Sequence, residues 1–171
     1  MRSPSQPGKL SLRDTAILSL MAAVIFGSKV AMSMLPNIHL VAVLLMLCTV
    51  GFGWKAMYTV FIYVMLEGLV YGFQIWWISY LYIWPLLVVL TMAIRRFQSY
   101  ILYAILAGCF GFLFGAMCAI SMIFTSGIQG AHYWWLAGIP YDLIHGVSNF
   151  VITLVVLPPL DKLFRKYLKR K

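Results

Sequence analysis

Between Asp14 and Leu160 the chain carries only seven charged side chains, Asp14, Lys29, Lys55, Glu67, Arg95, Arg96 and Asp142, and the residues between them form long apolar runs punctuated by Gly and Pro. This pattern constrains the fold more than any motif does. Apolar runs of such length predict helices in lipid, because hydrocarbon offers the backbone no hydrogen bonds and a helix satisfies its own. Composition agrees: 63% of residues are hydrophobic, 10% are charged and the mean hydropathy is +0.93. Soluble domains are nearer half apolar and a quarter charged.

Residues 1–13, MRSPSQPGKLSLR, are polar and hold Pro4, Pro7 and Gly8, so they read as a cytoplasmic tail. The run that follows is taken as a retained first helix, 14–34, since it continues past Lys29 to Met34 without a small-x-small cleavage site. Pro36 and Asn37 break it. Further helices are expected at about 38–52, 55–73, 78–94, 99–124 and 140–159, with a Gly-rich connection, TSGIQGAHYWWLAG, before the last. Each is near the ~20 residues that cross ~30 Å of hydrocarbon, the second being short enough to be broken or tilted. The expected fold is an all-α membrane protein, a six-helix transmembrane domain over 14–161 followed by a basic cytoplasmic C-terminal tail, 162–171.

The net charge of +9 raises nucleic acid as a partner, but the charges sit between apolar runs and at the ends. If six helices alternate, twelve of the thirteen Lys and Arg fall on one side, leaving only Lys29 opposite. The positive-inside rule then makes both termini cytoplasmic, in a multi-pass protein of a prokaryotic plasma membrane, and excludes nucleic acid. Cys48, Cys109 and Cys118 lie within apolar runs, in neither metal-site nor disulfide spacing, and read as small buried hydrophobes. No P-loop, GxSxG or HExxH is present, so nothing points to ATP use, a nucleophile, a metal or a cofactor.

The remaining polar residues then become informative. Asp142, His145, Asn149 and Thr153 share one helical face. Thr153 is set aside, because it lies deeper and a Thr can bond its own backbone. Lys29, Asn37, His39 and Glu67 are expected at the same outer depth as Asp142, His145 and Asn149, so residues from four helices converge there. Charged groups inside a bilayer face a bundle interior or a water-filled pocket. The structural alternative is internal glue, with Lys29 pairing Glu67 or Asp142. Tyr63, Glu67, Tyr71 and Gln74 share a face, and Trp and Tyr crowd 76–84 and 132–135. Most of these tryptophans read as an interfacial belt. Trp134, Trp135 and Tyr71 are candidate stacking partners for a flat heterocycle. The Thr125 to Gly138 connection, with its glycines, is a candidate lid.

Small residues recur every four positions in the first helix, Ser19, Ala23, Gly27 and Ala31, and in the fifth, Ala107, Gly111, Gly115 and Ala119. Such stripes let helices approach closely in lipid, by internal packing or by docking to another membrane protein.

A small six-helix protein with an outer pocket and no energy source resembles the substrate-binding S components of energy-coupling factor (ECF) transporters. The residues that carry the resemblance are LPNIHL at 35–40, GFGWKAMYTVFIYVMLEGLVYGF at 51–73, WWISYLYIWPLL at 76–87 and IPYDLIHGVSNFVITLVVLPPL at 139–160. The resemblance implies a vitamin or vitamin precursor bound from outside, with a transmembrane T component and two cytoplasmic ATPases supplying energy. In that family an AxxxA pattern on the first helix faces the T component. The matching positions are Ser19 and Ala23, or Ala23 and Gly27, and neither pair is Ala-Ala.

The expected substrate-binding set is therefore Lys29, Asn37, His39, Glu67, Tyr71, Trp134, Trp135, Asp142, His145 and Asn149. The expected function is binding without catalysis. Two other readings stay open, a membrane enzyme using Asp142 and His145, and a structural subunit of a membrane complex.

Overall fold

The computed structural model describes residues 10–169. Most of the expected N-terminal tail, with Arg2 and Lys9, and the last two residues, Arg170 and Lys171, lie outside the described residues. Among those described, every regular element is helical: α1 Leu12–Ala31, α2 Val41–Phe52, α3 Ala56–Tyr71, α4 Ile75–Ile94, α5 Tyr100–Phe112 and α6 Phe114–Lys169, with short 3-10 turns at Gly53–Lys55 and Arg95–Phe97.

The element ends follow local chemistry. Ser11 caps α1 by accepting from the Asp14 amide at 3.1 Å, and Ser99 caps α5 by accepting from Leu102. Asp14 in the first turn and Lys29 in the last both complement the α1 dipole. Gly53 ends α2 at φ 63° and Gly72 ends α3 at φ 91°, conformations open to glycine and strained for other residues.

Four helical stretches are long and apolar enough to cross a membrane: Leu12–Ala31, Val41–Tyr71, Ile75–Phe97 and Tyr100–Lys166. The surface fits that role. Leu12 and Phe124 are 89% and 86% exposed and dozens of other large apolar side chains face outward, while Glu67, Ser79, Ser121, His145, Asn149 and Asp161 are buried. The core remains largely apolar, but so apolar an outer surface over buried polar groups suits lipid as the solvent.

The central element is α2. Its residues from Val41 to Val50 are all buried, as expected for a helix apolar on every side. At twelve residues it rises only about 18 Å, against about 30 Å for the twenty-residue α1 and α4. Neighbouring helices therefore extend past its N-terminus, and Met32 to Leu40 fills part of the space above it.

The ion pairs and hydrogen bonds order the helices. Asp14 meets Lys55, the Leu18 carbonyl accepts from Thr59 and Lys29 meets Glu67, so α1 and α3 run parallel with α2 returning between them. One end of the bundle is basic. There Arg95 donates to the Val50 carbonyl at 3.1 and 2.8 Å, and Asp161 accepts from Tyr100 and Arg165 at 2.9 Å.

Residues 125–138, expected as a connection and a lid, are helical apart from Gly127 and belong to α6. Gly127 alone leaves helical geometry, at φ 67° and ψ 176°, and the chain reverses there. The second arm of α6 starts at 128, well before the expected 140, with Pro140 inside it. Isolated glycines at 130 and 138 cost a helix only about 1 kcal/mol each relative to Ala, too little to break one that packs on a neighbour. The helix likewise continues through Pro158 and Pro159 into the basic segment that was expected to be a tail.

α5 and the first arm of α6 pack antiparallel on the second arm through small residues. A Cβ on Gly111 would stand 2.8 Å from the Gly146 backbone, and one on Gly108 would stand 3.4 Å from the Gly146 carbonyl. The small-residue stripe of the fifth predicted helix is thus spent inside the molecule. The α1 stripe is not: Ala23, Gly27 and Ala31 are exposed, and a Cβ on Gly27 would meet nothing within 4 Å.

Candidate functional site

At the end opposite the basic residues a cavity of about 570 Å³ opens between the 32–39 connection and α1, α3, α4 and α6. Its wall includes Lys29, Asn37, His39, Glu67, Tyr71 and His145, six of the ten expected site residues, joined by Trp76, Tyr80 and Phe114.

Each polar side chain comes from a different structural cause. Lys29 ends α1 and Glu67 sits one turn from the end of α3. Because these helices run parallel, Lys29 Nζ reaches Glu67 Oε2 at 2.6 Å and the Tyr80 hydroxyl oxygen at 3.4 Å. The Lys29 side chain is 25% exposed and that of Glu67 is 0% exposed, so the pair runs inward from the cavity rim. Around the ammonium stand the rings of Tyr80, Tyr71 and Trp76, at 5.2, 5.6 and 6.0 Å from ring centroid to Nζ.

The other half of the cavity is imidazole. His39, just before α2, meets His145 of α6 edge to face at 4.9 Å between centroids, and Phe114 covers the other side of His145 at 4.8 Å. Burial, then the neighbouring His145 and Lys29, push the His39 pKa down to about 3, so this imidazole is neutral at physiological pH. Asn37 adopts φ 56°, tolerated by Asn, and its carbonyl accepts from Ser148 Oγ at 3.2 Å, tying the connection to α6.

Several buried polar atoms here find no partner within the protein: Glu67 Oε1, His39 Nδ1, His145 Nε2 and Trp84 Nε1. Trp84 lies beneath the cavity in edge contact with His39 and Tyr80. Unpaired buried polar atoms cost about 1–3 kcal/mol each, and three of these four belong to residues that wall the cavity.

The remaining expected residues lie elsewhere. Asp142 is buried and does not line the cavity; its Oδ1 accepts from the Gly115 amide at 2.9 Å while its Oδ2 is buried with no partner. That amide belongs to the first turn of α6, just after the irregular Leu113, so the carboxylate ties the two arms of α6 together. Asn149 is buried further along the same face, with Nδ2 unpaired. Trp134 is 44% exposed on the second arm of α6. Trp135 lines a separate apolar groove of about 280 Å³ with Ala116, Ile120 and His132. Of the expected docking positions, Ser19 is half-buried while Ala23 and Gly27 are exposed.

Sequence reasoning missed the aromatic floor. Most tryptophans of 76–84 were expected at the interface and Tyr80 was not singled out, yet Trp76, Tyr80 and Trp84 lie in α4 at four-residue spacing and share a face. That spacing was the available signal. In the connection from Met32 to Ile38 only Asn37 was expected at the site, yet Met32, Ser33, Leu35, Pro36 and Ile38 also wall the cavity, whereas Thr125 to Gly138 does not line it.

Fold and surface define an all-helical protein suited to multi-pass membrane insertion, with one polar and aromatic cavity at one end. No family model, curated protein or solved structure matches the chain.

Proposed function

We propose that this protein is a substrate-binding membrane protein, the S component of an ECF-type importer that takes up a vitamin or vitamin precursor. On this reading six helical passes cross the plasma membrane of a prokaryotic cell, with both termini in the cytoplasm and the cavity facing outward. A T component and two ATPases supply the energy. One observation carries the binding reading: buried, unpartnered Glu67 Oε1, His39 Nδ1 and His145 Nε2 belong to residues that wall a single cavity of about 570 Å³. That volume lies within the usual range for small-molecule sites, about 300–1,000 Å³. Support for the transport assignment comes from the sequence resemblance and from the exposed Ala23 and Gly27 on α1, a free surface for a T component.

The test is purification in mild detergent followed by mass spectrometry of co-purified small molecules and calorimetric titration of whatever is found. Binding by the isolated protein, with uptake only when T component and ATPases are co-expressed, is the expected outcome. Absence of any bound metabolite, together with no thermal shift across a broad vitamin panel, overturns the proposal.

A further inference from the structure

The inference concerns the ligand's chemistry and rests on reading the cavity as a ligand site. The cavity already holds a cation. Lys29 Nζ donates to Glu67 Oε2 at 2.6 Å and to Tyr80 at 3.4 Å, and lies within 6.0 Å of the Tyr71, Trp76 and Tyr80 ring centroids. A carboxylate beneath several aromatic rings is the arrangement that selects ammonium and other nitrogen cations, since ring faces attract positive charge. Lys29 enters from the rim on a flexible four-carbon stem, whereas Glu67 is fixed and wholly buried. Glu67 Oε1 makes no hydrogen bond, and neither does the buried hydroxyl of Tyr63 one turn earlier on α3.

We propose that Glu67 with Tyr71, Trp76 and Tyr80 forms a cation subsite, that Lys29 is its tethered occupant in this structure, and that the ligand carries a protonated or quaternary nitrogen that displaces Lys29. The displaced ammonium has water to move into, because its side chain is already partly exposed. An anionic ligand drawn to Lys29 meets Glu67 at the same point, and the buried carboxylate repels it. His39 and His145 then bond the uncharged part of the ligand, each neutral imidazole offering one donor and one acceptor.

The experiment amputates the tether in the full-length protein. In Lys29→Ala, n-butylammonium supplies the lost side chain as a free molecule, with n-butanol and butyrate as neutral and anionic counterparts. The expected result is a saturable rise in melting temperature with n-butylammonium alone, half-maximal at a concentration at least ten-fold lower than in the wild type. Adding Glu67→Gln to Lys29→Ala abolishes that response. If Lys29→Ala does not stay folded unaided, recovery of monodisperse protein in millimolar n-butylammonium, and not in n-butanol, is the same positive result. Equal effects of amine and alcohol, or recovery with neither, overturn the subsite. A co-purified wild-type ligand that lacks a cationic nitrogen also overturns it while leaving the ligand-site reading intact, and a wild type that binds nothing removes that reading instead.

Discussion

His39 and His145, 106 positions apart in sequence, meet edge to face with ring centroids 4.9 Å apart, and the contact joins the connection before α2 to the second arm of α6. His39 keeps its proton affinity far below the ordinary value, near pKa 3, chiefly because it is buried. In the unfolded chain the same group titrates near 6.5. Below that pH the unfolded state takes up a proton that the folded state refuses, so the contribution of His39 to stability is full above pH 6.5 and falls toward pH 3. Each pH unit in that window costs up to about 1.4 kcal/mol, or about 3–6 °C of melting temperature for a chain this size. The detergent-solubilised wild type should lose several degrees between pH 7.5 and 5, and His39→Gln should flatten that slope. Parallel slopes in the two proteins argue against a neutral, buried His39.

Lys29 and Glu67 should respond unequally to substitution. Removing Glu67 leaves an ammonium that can turn toward water, whereas removing Lys29 strands a carboxylate with 0% exposure. Breaking a buried pair so that one charge is left unpaired costs about 3–5 kcal/mol. Lys29→Met is therefore expected to lower the melting temperature clearly more than Glu67→Gln, and the double variant to recover much of the loss. Thermal unfolding of the three proteins side by side decides it.

Asp142 separates a structural from a ligand-binding carboxylate. Its Oδ1 accepts from the Gly115 amide across the two arms of α6, a bond that an Asn carbonyl can also accept and Ala cannot. Asp142→Ala should cost about 1–2 kcal/mol of stability and Asp142→Asn much less, with both keeping ligand affinity within a few-fold. A large affinity loss in Asp142→Asn, at unchanged stability, returns this residue to the ligand site.

The two small-residue stripes predict opposite phenotypes. At Gly111 an added Cβ would strike Gly146 backbone at 2.8 Å, which cannot rotate away, so Gly111→Val should cost at least about 1–3 kcal/mol or prevent folding. At Gly27 the space is open. On the proposed transport reading, Gly27→Leu should leave melting temperature and ligand binding unchanged while reducing uptake in cells that also express a T component and its ATPases. Uptake at the wild-type level in Gly27→Leu removes this stripe as a docking face.

The run lengths made α1 to α4 legible to within a few residues, because four apolar stretches are bounded by Gly, Pro or Arg whose effects are local. α6 was not legible in the same way. Whether Gly130 and Gly138 end a helix depends on what the segment packs against, and a local rule does not weigh the first arm of α6, whose Ala116, Ala119 and Ile123 stand beside Ile128 and Ala131. The site divided along the same line. Lys29, Asn37, His39, Glu67, Tyr71 and His145 stood out because polar groups in an apolar run need a reason, whereas Tyr80 and Trp76 did not, because aromatic residues near a membrane interface need none. Asp142 stood out for the right chemical reason, but its partner is a backbone amide, which no residue type announces.

The shortness of α2 bears on how the protein is made. A twelve-residue helix with no lipid-facing side cannot rest in a bilayer as an independent unit, as longer spans do before they associate. It has to enter joined to α3 within the 31-residue stretch Val41–Tyr71, and its flank stays uncovered until the second arm of α6 emerges from the ribosome. His145 belongs to that arm, so the cavity has a complete wall only once α6 has packed against the helices that precede it.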